Sequence, residues 1–71
     1  MHVDDQIYKK IELIGTSTEG IEDAVNNALA KASASVRGMR WFEVTETRGS
    51  ITDGKVERWQ VGISVGFTIE D

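Results

Sequence analysis

The chain has 71 residues, 39% of them apolar, with 12 acidic and 8 basic side chains and a net charge of −4. That is one small domain, residues 1–71, and a chain so short buries only about 60% of its unfolded surface. It has no cysteine and a single histidine, at position 2, which excludes disulfides, thiolate metal sites and multi-histidine metal sites and leaves association between copies as the stabilising device. The acidic balance argues against nucleic acid and anionic membranes as partners, because both select basic patches. There is no apolar run of roughly 18 residues and no signal peptide, so the expected location is cytoplasmic.

Met1 to Gln6 is polar and reads as a flexible tail. Ile7 to Ile14 reads as a strand that Gly15 ends, with Ile11 and Leu13 on one face and Lys10 and Glu12 on the other. Ser17 is the expected N-cap of a helix with Glu19, Glu22 and Asp23 near its positive end. Ile21, Ala24, Val25, Ala28, Leu29, Ala32 and Val36 then follow the spacing of one buried stripe, and Gly38 is the expected stop. Such a helix runs roughly 18 to 20 residues, about 28 Å.

Trp41 to Thr47 alternates as a second strand, with Phe42 and Val44 on one face and Trp41, Glu43 and Thr45 on the other. Asp53-Gly54 is a hairpin turn signal. Val56 to Ile69 alternates as a long third strand, with Val61, Ile63, Val65, Phe67 and Ile69 facing one way and Gln60, Gly62, Ser64, Gly66 and Thr68 the other. The expected fold is therefore α+β: a β-α-β-β order whose three-stranded antiparallel sheet, ordered 1-3-2, wraps around one long helix. Its second face and open edges are read as a subunit interface.

Three side chains stand out as ligand-binding candidates. Trp41 points away from the helix and offers a flat platform, or else packs in an interface. Gln60 shares that face by parity, and its amide, with one acceptor and two donors, suits the edge of a planar imide. Arg48 is a candidate phosphate or carboxylate clamp. Strict alternation places it on the opposite face, so a bulge or strong twist near Thr47-Arg48-Gly49 is required to bring it round. Arg58 shares the face of Gln60 and is a weaker alternative. Glu43, Glu46, Asp53 and Glu57 form no catalytic spacing, and no histidine base is available, so the chain does not read as an enzyme.

The run Tyr8-Lys9-Lys10-Ile11-Glu12-Leu13-Ile14-Gly15-Thr16-Ser17 resembles the dodecin family of small flavin-binding proteins. Trp41-Phe42-Glu43-Val44, Arg48-Gly49, Asp53-Gly54, Gln60-Val61 and Val65-Gly66-Phe67 extend the resemblance from Tyr8 to Ile69. It implies a hollow homo-oligomer, a dodecamer with cubic 23 symmetry, that stores and buffers flavin (FMN, riboflavin or FAD, or the breakdown product lumichrome) and quenches its photochemistry. Flavins would lie in pairs at two-fold interfaces, stacked on Trp41 and its symmetry mate. Gln60 would pair with the polar edge of the ring, and Arg48 would sit near the ribityl or phosphate end. Some bacterial members also bind coenzyme A.

One position departs from the pattern. Many bacterial members carry a basic residue directly after the Gly-Phe pair of the last strand, where this chain has Thr68. By resemblance, its loss weakens the case for phosphorylated flavins and leaves ring binding untouched. The competing readings are a structural oligomer of the same fold without flavin, and a shell binding coenzyme A or another nucleotide.

Overall fold

A computed structural model describes residues 5–69. Most of the tail expected over residues 1–6 lies outside that range; Asp5 to Ile7 is exposed and irregular. The elements are β1 (Tyr8–Ser17), α1 (Ile21–Ala32), β2 (Met39–Thr52) and β3 (Lys55–Thr68). β3 is the central strand, flanked by β1 and β2 in an antiparallel sheet of order β1-β3-β2, which is the expected topology.

β1 does not stop at Gly15. It continues to Ser17 because the missing side chain at Gly15 lets α1 press directly on the strand, and a Cβ there would overlap the Ala24 carbonyl oxygen. Ser17 is consequently not the N-cap, a position taken by Gly20. It organises the approach instead: its buried Oγ accepts the Glu19 N–H at 2.8 Å and the Gly20 N–H at 3.3 Å and donates to Asp23 Oδ2 at 2.6 Å. Asn27 Nδ2 ties the helix to the Thr16 carbonyl at 3.0 Å.

The helix is also shorter than its apolar spacing suggests, with 12 residues and a length of about 18 Å. Past Ala32 the backbone tightens into i→i+3 bonds, Ala34 N to Lys31 O and Ser35 N to Ala32 O. Ser33 Oγ competes for the helix carbonyls by donating to Ala30 O at 2.8 Å. Gly38, six residues beyond the helix, is not its stop; at φ +75° it turns the chain into β2, where its carbonyl accepts the Thr68 N–H. The Asp53-Gly54 turn is as expected, with φ of 54° and 73° at the two residues, the left-handed pair that a tight hairpin requires.

The core is small. Ala24 and Val25 of α1 pack on Val61, Ile63 and Val65 of β3, with Ile11, Leu13, Ala28, Leu29 and Met39 around them. The helix lies over β1 and β3 and leaves the same face of β2 largely uncovered, so Phe42 and Val44 remain 46% and 43% exposed although they point to the helix side. The hairpin runs far beyond the helix, giving extents of 61 × 21 × 14 Å. The radius of gyration is 15.1 Å, against about 11 Å for a compact chain of this length.

Candidate functional site

The face of the sheet turned away from α1 can be read along β3. Thr68 lies opposite Tyr8; Gly66 is flanked by Lys10 and Trp41, Ser64 by Glu12 and Glu43, Gly62 by Ile14 and Glu46, and Gln60 by Thr16 and Arg48. All three candidates, Trp41, Gln60 and Arg48, therefore share one face. Strict alternation along β2 would have put Arg48 on the other. A bulge between Val44 and Glu46 leaves Thr45 without a partner and inverts the parity of the rest of the strand. The required bulge is thus present, earlier in the strand than Thr47-Arg48-Gly49.

Trp41 is 43% exposed. Its indole lies across Gly66, where a Cβ would overlap the ring, so the small residue is the seat of the aromatic. Tyr8 meets the indole edge-on, with ring centroids 5.0 Å apart and planes at 70°. At the other end, Arg48 Nε donates to Gln60 Oε1 at 2.9 Å, and Arg48 Nη1 is 3.1 Å from Glu46 Oε1. The Gln60 carbonyl is thereby engaged, and its amide N–H groups remain to meet a ligand acceptor. A shallow recess of about 270 Å³, lined by Glu12, Ile14, Thr45, Glu46 and Gly62 among others, lies between the two ends.

Trp41 and Gln60 are brought to one face but not to one point. The positions they mark on β3, Gly66 and Gln60, are six residues apart, or about 20 Å of strand. That is longer than a three-ring heterocycle, so Trp41 and Gln60 of a single protomer cannot hold the same ring. Residue-by-residue reasoning missed this separation, and it missed Tyr8 and Glu46 as neighbours of the candidates. The signals were present: Tyr8 has the parity of Lys10, and Glu46 and Arg48 are opposite charges two residues apart in a strand. Among the described residues, no three histidines or carboxylates cluster to hold a metal ion, and no helix is long and apolar enough to cross a membrane.

These features define a small α+β protein with a long three-stranded sheet, one face of which presents an aromatic platform and an oriented amide. The Dodecin family model matches residues 7–70, and the chain belongs to the dodecin family. It is similar to the curated dodecin of Thermus thermophilus, with 48% identity over 66 residues covering 93% of this chain and 96% of the relative. A solved structure from that organism superposes with a TM-score of 0.90 at 48% identity, covering 94% of this chain and 98% of the other. The dodecin structure from Streptomyces coelicolor gives 0.92 at 45% identity, covering 97% and 99%.

Proposed function

We propose that this protein binds flavin (FMN, riboflavin or FAD) in pairs within a cytoplasmic dodecamer of 23 symmetry, storing the cofactor and quenching its photochemistry without turning it over. The observation that carries this reading is the half-exposed indole of Trp41 seated over Gly66, on the same face as a Gln60 amide already oriented by Arg48. A flat heterocycle fits such a face: Gly66 lets the indole lie down on the strand, the indole supplies a stacking surface and the amide supplies edge donors.

The separation of Trp41 from Gln60 supports a shared site. A two-fold mate running antiparallel brings its own Gln60 and Arg48 to the indole of the first protomer, and the reverse. The uncovered apolar side chains of β2 and the open strand edges likewise favour association. Two stacks contribute about 0.5 to 1.5 kcal/mol each beyond burial, and each edge hydrogen bond adds about 1 kcal/mol. A stacked indole also donates an electron to the excited ring, so binding extinguishes flavin fluorescence. Titrating riboflavin with the protein tests the reading. Quenching that saturates at one flavin per protomer is expected, and unchanged riboflavin emission at tens of micromolar protein would leave a structural oligomer in its place.

A further inference from the structure

We infer that Arg40 is a specificity-determining residue of this site, one that recognises phosphate and tilts binding toward FMN over riboflavin. The inference rests on the flavin reading above and specifies its ligand.

Arg40 is the extra residue of the bulge between Met39 and Trp41: its neighbours pair with Phe67 and Gly66, and it has no partner in β3. A bulged residue is released from strand alternation, and the Arg40 side chain uses that freedom to reach Thr68. Its Nε donates to Thr68 Oγ1 at 3.0 Å, and the Thr68 hydroxyl lies 3.4 Å from the Gly38 carbonyl. Thr68 is opposite Tyr8, whose ring touches Trp41. An exposed guanidinium is thus anchored by one nitrogen at the aromatic end of the binding face. Among the described residues no carboxylate lies within ion-pairing distance of it. Among the described residues nothing engages its four Nη hydrogens, which have the fork geometry that grips phosphate. Lys10, opposite Gly66, raises the positive potential at the same end.

The charge pattern of the face says where an anion goes. Its middle is acidic, with Glu12 and Glu43 both flanking Ser64 and Glu46 beside Gly62, while the cations stand at the two ends. In the shared site, the Trp41 end of one protomer meets the Gln60 end of its mate. Arg40 of the first and Arg48 of the second then converge on one ligand. Glu46 already offsets part of the Arg48 charge, so Arg40 supplies the positive charge that a phosphate monoester, at about −1.5 to −2, calls for and an uncharged ribityl chain does not.

The test is the ratio of FMN to riboflavin affinity, read by flavin fluorescence on the assembled protein, with light scattering to confirm assembly of each variant. The unmutated protein is expected to prefer FMN, less so as salt rises. Arg40→Gln should lower FMN affinity on the order of tenfold more than riboflavin affinity. Thr68→Val, which keeps the charge and removes its anchor, should give a smaller loss in the same direction. Riboflavin binding with an unchanged ratio in both variants overturns the role of Arg40 alone. Failure of the unmutated protein to bind riboflavin or FMN overturns the flavin reading and this inference together.

Discussion

Arg48 and Gln60 face each other across β2 and β3, and the Arg48 Nε–H donates to Gln60 Oε1 at 2.9 Å. The bond links a charged residue to the amide proposed to read the ring edge, and Glu46, opposite Gly62, braces the same guanidinium. Removing Arg48 therefore removes more than a charge, because the Gln60 amide becomes free to rotate.

Arg48→Ala should weaken lumichrome, which has neither ribityl chain nor phosphate, by about two- to fivefold through loss of the oriented amide. FMN should lose more. Lumichrome affinity measured by fluorescence titration checks this, and an unchanged value would show that the amide needs no guide.

Trp41→Ala should abolish most flavin quenching while the protein stays assembled. Gln60→Ala, by contrast, should weaken affinity and leave quenching at saturation unchanged. Fluorescence amplitude and midpoint, read from the same titration, separate the two effects.

Gly66→Ala should lower flavin affinity with little loss of assembly. The added methyl displaces the indole from its seat, and a half-exposed side chain can yield without dragging the backbone. Near-ultraviolet circular dichroism of the ligand-free protein should report the displaced indole.

Gly15→Ala meets backbone, not a movable side chain, because its Cβ overlaps the Ala24 carbonyl oxygen and crowds Ala28 Cβ at 3.0 Å. The helix must lift from β1, at a cost of about 1 to 3 kcal/mol or more. Gly20→Ala is the control: its backbone is extended, with φ 163°, nothing lies within 4 Å, and thermal unfolding should barely change.

The strands and the core were legible because alternation is simple and long. Val61, Ile63 and Val65 face the helix as their parity requires, and Asp53-Gly54 turns where it should. The helix ends were less legible. Val36 continues the apolar spacing of Ala28, Leu29 and Ala32, but the Ser33 hydroxyl tips the local balance toward tight turns, a competition that periodicity does not weigh. Trp41 and Gln60 were placed on the correct face, whereas their separation depends on register, which no single strand discloses. Arg48 shows the limit most clearly: its face is decided by one unpaired residue, Thr45, whose identity carries no mark of a bulge.

That bulge reconciles two strand segments of unequal length: six residues of β2 separate Trp41 from Arg48, against five of β3 between their partners Gly66 and Gln60. Thr45 is the surplus. Deleting it would straighten β2 and still leave Arg48 opposite Gln60, because the shortened strand alternates without interruption. Keeping Thr45 but pairing it with Gly62 would instead slip the strand by one place and turn Arg48 toward the helix side. The swelling in β2 is slack, taken up at one point so that both ends of the face stay in step.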